Sequence, residues 1–479
     1  MLRASLKQIT ILFTLLLFCS EVGAFTVGDY VYTILDAEAK TVSIAAKSTS
    51  LMAIVIGDEV TYEGVTYKIT EVAQSGFSGC CQTYSQSSIS IGKNIISIRR
   101  TAFEGCKFGS VVIPASVSTI ETSAFKNCTS LRTVTFDAAS ELTTIGVNAF
   151  EGCIRLHTII LPQTLGTLSS GLFTGCTDLT SLTIPASVSS VASDVFKNKT
   201  GTITITFEGA SAPTLTSILG IAKANVSINV LSTAAKASFE ANSNWLNSAN
   251  AITVVPLAVS ETVDNSVVLE HHKTHTADVN LTRTIRHEGY NALCLPFALG
   301  AEQVTSVFGA GCDIEELTSA SISETGIDLT FTNCTALEAG KPYLVKPTAT
   351  VENPSFRNVV ITNEVASTSL TDVDFVGVFS QTQMTANENI LLLGPESTLF
   401  PTGDGILNGL RGYFVLKTSK AQAAAKKQAR VVINSGGETG LEGVAHTETA
   451  IKQIINGQLV ITREGVQYNA CGARVGGER

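Results

Sequence analysis

Val111-Val112-Ile113-Pro114-Ala115-Ser116-Val117-Ser118-Thr119-Ile120-Glu121-Thr122-Ser123-Ala124-Phe125-Lys126-Asn127-Cys128 decides how this chain folds, because the sequence on both sides repeats it. The phrase recurs around six phenylalanines, Phe77, Phe103, Phe125, Phe150, Phe173 and Phe196, at spacings of 26, 22, 25, 23 and 23 residues. A period in the twenties belongs to a solenoid, in which each unit buries its apolar face only against its neighbours. Each period opens on an alternating run (Val111 to Ile113, Leu131 to Phe136, Leu156 to Leu161, Leu179 to Ile184) that reads as a half-buried strand. Pro114, Pro162 and Pro185 end these strands, because proline cannot donate to the ladder. A second apolar pair follows, such as Val117 with Ile120 or Leu142 with Ile145, and a tight turn carrying the phenylalanine closes the unit. Gly79, Gly105, Asn127, Gly152, Gly175 and Asn198 stand two residues after each phenylalanine. Glycine and asparagine visit the left-handed region cheaply, so this column marks the stop of a short helical turn.

The resulting pattern, L-x-x-V-x-I-P-x-x-V-x-x-I-x-x-x-A-F-x-G/N-C, resembles the BspA-like (Treponema pallidum-type) leucine-rich repeat of bacterial surface proteins over residues 60–256. It departs at both ends. Ile91-Gly92 replace the first proline and Lys199 the last cysteine, as expected of terminal repeats that face solvent. Ala212-Pro213 to Ile252, with Trp245 near its end, reads as a closing unit, and Ser232 to Ser248 as a capping helix started by Ser232. The fold class expected is mainly β. A β cap over 25–59 precedes the solenoid of 60–256. An antiparallel, sandwich-like domain follows over 257–436, then a linker and small β module over 437–479.

The N-terminus carries Arg3 and Lys7, an apolar run from Ile9 to Phe18 and the small residues Val22-Gly23-Ala24. This reads as a secretory signal peptide over 1–24, cleaved after Ala24. The bulky Phe18 argues against lipoprotein anchoring at Cys19, and no later segment reaches a membrane-spanning length. The expected location is therefore secreted or on the bacterial surface. A net charge of −9 without a basic cluster argues against nucleic acid as a partner.

Eleven cysteines in an exported chain would ordinarily suggest disulfides. Cys80, Cys106, Cys128, Cys153 and Cys176, however, occupy one repeat column and should stack as small buried thiols. Cys294, Cys312, Cys334 and Cys471 lie outside it, and one pair among them could bridge.

Beyond residue 257 the period is lost. Short strand-like runs separated by turn residues indicate antiparallel β structure. Tyr290 to Phe297, Ala339 to Val345 and Arg411 to Phe414 are similar to recurring phrases of β-rich domains in exported Bacteroidetes proteins. Ala421 to Lys427 reads as a solvated loop or helical turn, and Glu438 to Glu442 as a linker. Three strands follow, the first two joined by an Asn456-Gly457 hairpin turn. That last stretch resembles C-terminal modules of the same bacterial group, either a sorting tag or a stabilising appendage.

No catalytic signature is present: there is no G-x-S-x-G, H-E-x-x-H or P-loop, and no catalytic residue, cofactor or metal site is assigned. His271, His272 and His275 cluster, but Val267, Val268 and Leu269 before them read as a strand leading to a solvated loop. His157 reads as a single exposed residue on a solenoid strand.

The outward face of the strands is more informative. Ser88, Ser110, Thr133, Thr158, Ser181 and Thr204 form one column, all with hydroxyls, beside Ser90, Val112, Thr135, Ile160, Thr183 and Thr206. Such a face is uncharged and suits β-propensity alone, or contact with another protein. Members of the BspA-like group are associated with attachment and with binding host extracellular proteins. The resemblance thus implies a non-enzymatic, adhesin-like interaction protein. A glycan-capturing protein using 257–436, or an enzyme in that region, are the competing readings.

Overall fold

The alternating runs pair in register, one repeat above the next. Ser88–Ser90, Ser110–Ile113, Thr133–Phe136 and Thr158–Ile159 form a parallel sheet with Ile54–Val55 at its edge. Within it Thr133 lies opposite Ser110 on one side and Thr158 on the other. An Ile160–Thr183 bridge leads on to a second parallel group, Ser181–Ile184, Ile203–Phe207, Val226–Val230 and Ala251–Val254. The computed structural model describes residues 23–51, 53–81, 88–394 and 398–434, and the backbone of four strands within 451–476. Residues 1–22 with Cys19, the 438–442 linker, Asn456-Gly457 and Cys471, for which the sequence raised expectations, lie outside the described residues.

The second member of each apolar pair lies on a short strand of its own. Ser97–Ile98, Thr119–Ile120 and Thr144–Ile145 stack in parallel on Val65–Val72, and Thr167–Leu168, Ser190–Val191 and Thr214–Leu215 stack likewise. Two residues carry too little alternation to announce a strand in the sequence. The two sheets and the phenylalanine turns enclose one apolar core running from Phe25 to Ala249.

The turns fix the stacking. Rings of Phe77, Phe103, Phe125, Phe150, Phe173 and Phe196 stack with centroids 5.5, 5.2, 5.4, 6.0 and 5.9 Å apart and planes within 18°. Each of these phenylalanines donates its amide to the next turn, as Phe125 does to the Ala149 carbonyl at 2.9 Å. The Gly/Asn column is left-handed at all six sites, with φ of 72°, 73°, 58°, 71°, 70° and 59°. A second left-handed column, Ser75, Thr101, Ser123, Asn148, Gly171 and Asp194, sits two residues before each phenylalanine. Its mixed composition hid it from the sequence.

The ends are closed differently. At the N-terminus, Ala24–Val27, Tyr30–Asp36 and Thr41–Ala46 are antiparallel, and the last joins Val65–Val72 in parallel. At the other end the single capping helix expected over Ser232 to Ser248 is two helices, Thr233–Glu240 and Ser243–Ser248. Ser232 caps the first, accepting from the Ala235 amide. Asn242 interrupts the run to cap the second, accepting from the Asn244 amide. Trp245 is buried against Phe207 and Phe239 and donates to the Pro213 carbonyl at 2.8 Å.

A second unit begins at Pro256. Its strands form several small sheets, mostly antiparallel. One five-stranded sheet runs in the order Asn291–Cys294, Pro342–Lys346, Asp313–Ile322, Ile327–Asn333 and Ala429–Asn434. Another runs Ser367–Ser369, Val373–Val378, Arg411–Leu416, Asn387–Leu393 and Leu399–Thr402. The expectation of purely antiparallel pairing fails twice: Leu257–Ser260 runs parallel to Thr276–Thr282, and Ile327–Asn333 to Ala429–Asn434. The second of these pairings follows a connection that includes the helix Ser419–Lys427. That helix corrects the reading of Ala421 to Lys427 as solvated. Thr418 caps it, and Ala421 and Ala424 are buried in a core with Phe331, Phe375 and Phe414. Ile451–Ile455, Gln458–Arg463 and Val466–Asn469 form the expected meander, joined by a fourth strand, Arg474–Gly476.

Candidate functional site

The hydroxyl column lies where the alternation places it. Ser110, Thr133, Thr158 and Ser181 are exposed, and Thr204 is half-buried. Ser88 pairs with Ser110 in the same ladder, and Ser227, opposite Thr204, extends the column. The structure adds a fact that changes its meaning. The short-strand sheet carries a hydroxyl column of its own: Ser97, Thr119 and Thr144 in one register, Thr167, Ser190 and Thr214 in the other. Repeated hydroxyls are therefore not peculiar to one face, and β-propensity accounts for them on both.

What distinguishes the long-strand face is the neighbouring column. It runs Val55, Ser90, Val112, Thr135, Ile160, Thr183 and Thr206. Val55, Val112 and Ile160 are 59%, 57% and 66% exposed. Val112 and Ile160 flank Thr135, so two β-branched apolar side chains and a threonine methyl lie side by side on solvent. Neither column carries a charge. Charge is concentrated instead on the turn edge, where Arg99 pairs with Glu71 and Glu121 and Lys126 with Glu151. His157 is exposed, with Nδ1 3.2 Å from the Asp178 carbonyl oxygen.

The repeat cysteines are buried, and they do more than fill space. Cys106, Cys128, Cys153 and Cys176 each donate from Sγ to the phenylalanine carbonyl of the preceding turn, at 3.0, 3.1, 3.1 and 3.2 Å. Burial pushes these thiols up from their ordinary pKa, Cys80 to about 11. A protonated thiol is a poor nucleophile, so the column is chemically quiet. Lys199 replaces the last cysteine and is buried; its ammonium donates to the Thr177 and Thr200 carbonyls at 3.2 and 3.0 Å. Alkylation before unfolding should label Cys312 and Cys334, which are partly exposed, ahead of the repeat thiols. Alkylation after unfolding should label Cys106, Cys128, Cys153 and Cys176. Peptide mass spectrometry reads both, and a Cys106–Cys128 or Cys153–Cys176 disulfide would contradict this geometry.

In the second unit the three recurring phrases meet in one place. Asn291–Cys294 pairs with Pro342–Lys346, and the Cys294 amide donates to the Leu410 carbonyl, next to Arg411. Buried Arg283 donates to the Ala292 carbonyl at 2.8 Å and to Leu410, and its Nε lies 3.6 Å from Glu261, which also pairs with Arg411 at 2.6 Å. Leu410 is fully buried with a φ of 59°, an uncommon conformation for a bulky residue. The three phrases thus pack against one another in this unit. The histidine cluster also differs from its expectation. Ser266–His271 is a helix that buries Leu269 and exposes Val267, and His275 is buried, not solvated. A shallow depression of about 500 Å³ in this unit is lined by Lys273, Gln303, Asn358 and Glu364 among others. Among the described residues lining it, none is aromatic.

Comparison with known proteins fits this geometry. Residues 65–218 match the family model of the BspA type Leucine rich repeat region in 6 copies. The solenoid is a BspA-type leucine-rich repeat. Solved structures similar to the chain include a leucine-rich repeat protein of T. pallidum, with 24% identity over 39% of this chain and 86% of that one and a TM-score of 0.32. A Bacteroides ovatus leucine-rich repeat protein shows 17% identity over 49% and 72%, TM-score 0.28. A leucine rich cell surface protein from Faecalibacterium prausnitzii shows 18% over 49% and 73%, TM-score 0.27. No curated protein matches the chain.

Proposed function

We propose that this chain is an exported, adhesin-like interaction protein that binds another protein, such as a host extracellular protein, through the long-strand face of its BspA-type solenoid. The observation that supports this most is the exposed apolar column Val55, Val112 and Ile160, set in register among uncharged hydroxyl-bearing residues. Exposed apolar side chains interspersed with uncharged polar ones suit an interaction surface. A repeat surface accumulates contact area without a deep pocket. Binding should depend only weakly on salt, because the face offers no charge to steer association.

The test uses paired substitutions in the full chain. Thr133→Lys with Thr158→Glu places charges beside Ile160 and should abolish capture of a matrix protein in a pull-down. Thr144→Lys with Thr167→Glu makes the same change on the short-strand face and should leave capture intact. All four positions are exposed, so neither pair should move the melting temperature by more than a few degrees. Equal binding by both variants, or loss confined to the second, would exclude the long-strand face.

A further inference from the structure

Glu315 lies in the strand Asp313–Ile322 and is 1% exposed. Its ladder neighbours are Leu344 on one side and Asn333 on the other, and Leu344 belongs to the apolar core of the unit. Oε1 accepts from Asn333 Nδ2 at 3.3 Å, while Oε2 meets no hydrogen-bonding group among the described residues. A buried carboxylate with an unmatched oxygen is costly unless a proton or a cation satisfies it. Lys346 stands opposite Asp313 in the ladder, but among the described residues no basic side chain forms an ion pair with Glu315. Lys341 pairs with Glu316 at 2.6 Å and Glu338 at 3.3 Å, and Lys346 lies over the Tyr290 ring at 5.9 Å.

Other oxygen-bearing side chains lie along the same strand face. Asp313 precedes Glu315 by two residues and so shares its face of the strand. The Tyr290 hydroxyl donates to Asp313 Oδ2 at 3.5 Å. The contacts at 3.3 and 3.5 Å are long for hydrogen bonds, which leaves these oxygens weakly committed. Rotating the Asn333 amide by a half-turn presents Oδ1 in place of Nδ2. Two carboxylates, an amide oxygen and a phenol oxygen make a hard, all-oxygen donor set whose charge matches a divalent ion. Asn333 is exposed and Asp313 half-buried, which gives the ion a route from solvent.

We propose that Asp313 and Glu315, with the side-chain oxygens of Asn333 and Tyr290, bind a hard divalent cation of the calcium class. The ion supplies the counter-charge for Glu315 and ties the Asp313–Ile322 strand to Asn333 on one adjoining strand and to Tyr290, beside the strand Asn291–Cys294 two places away in the sheet.

Full-length protein freed of metal with chelator, then melted with and without about 5 mM CaCl2, tests this; extracellular calcium sites bind at roughly 10⁻⁴–10⁻³ M. Calcium should raise the wild-type melting temperature by a few degrees. Glu315→Gln removes the charge that needs a counter-ion. Without calcium this variant should melt at or above the wild type, and with calcium below it, so the order of the two proteins reverses. Asp313→Asn should retain a reduced calcium shift. If Glu315 is satisfied by a proton alone, calcium leaves the wild type unmoved, and the proposal fails. It also fails if calcium stabilises Glu315→Gln as much as the wild type.

Discussion

Phe125→Ala should lower the stability of the solenoid by about 3–5 kcal/mol, the range for truncating a fully buried aromatic. Phe125 is 0% exposed and has stacked neighbours on both sides, Phe103 at 5.2 Å and Phe150 at 5.4 Å. Removing the ring opens a void in a column that every repeat shares, and it cannot close without bringing two turns together. Those turns are held apart by the backbone ladder, in which Phe125 donates to Ala149 and Asn127 to Glu151. Phe196→Ala provides the comparison. Phe196 ends the stack and has a single ring contact, to Phe173 at 5.9 Å, so its loss should cost less. For a unit of this size the Phe125 change corresponds to a fall in melting temperature of roughly 10 °C. Melts followed by far-ultraviolet circular dichroism decide it. Equal effects of the two substitutions would mean that the stack does not carry the cohesion between repeats.

Repetition made the solenoid legible. Five features per period agreed in phase, and an error at one position could be corrected at five others. That redundancy is why the phenylalanine column, the cysteine column and the left-handed Gly/Asn column could be assigned to single residues. Where a feature is not repeated in residue type it was lost, as with the second left-handed column at Ser75, Thr101 and Asn148. The hydroxyl face was legible too, but its uniqueness was not. The Ser97 to Thr214 columns lie on strands of two residues, which become strands only through their neighbours. Beyond Pro256 each element occurs once. Strands were still visible from β-branched runs, yet Val267-Val268-Leu269 turned out helical and Ala421 to Lys427 an amphipathic helix packed on the core. At Val267 to Leu269 tertiary context overrode β-propensity, whereas Ala421 to Lys427 follows the helix propensity of alanine and lysine and only its burial was hidden. Glu315 could not be flagged at all, since a glutamate beside another glutamate reads as solvated. Its burial comes from the strands that lie on both sides of it.

Glycines in the turns should rank by what a methyl group would meet, and not by their conformation alone. Gly105, Gly152 and Gly146 form the series. Gly105 is left-handed at φ 73° but a Cβ there meets nothing within 4 Å, so Gly105→Ala should cost only the conformational strain, roughly 1–2 kcal/mol. Gly152 has the same strain at φ 71°, and its Cβ would lie 2.3 Å from Asn127 Oδ1. That obstacle is the tip of a side chain that can rotate away. Gly152→Ala should therefore cost more than Gly105→Ala, and the excess should disappear in the Asn127→Gly background. Asn127→Gly alone should be tolerated, because φ 58° suits glycine as well. Gly146 is the severe case although its backbone is not left-handed. A Cβ there would sit 2.4 Å from the Thr122 amide nitrogen and 2.5 Å from the Glu121 carbonyl carbon. Both are backbone atoms of the preceding repeat, so only separation of the two turns can relieve the clash. Overpacking of that kind costs about 3 kcal/mol or more, and no side-chain removal should rescue it. The measurement is a double-mutant cycle on melting temperature with Asn127→Gly as the shared partner. Coupling with Gly152→Ala and none with Gly146→Ala is the expected pattern. If Gly146→Ala is harmless, the repeats are not packed as closely at that edge as the Thr122 and Glu121 contacts require.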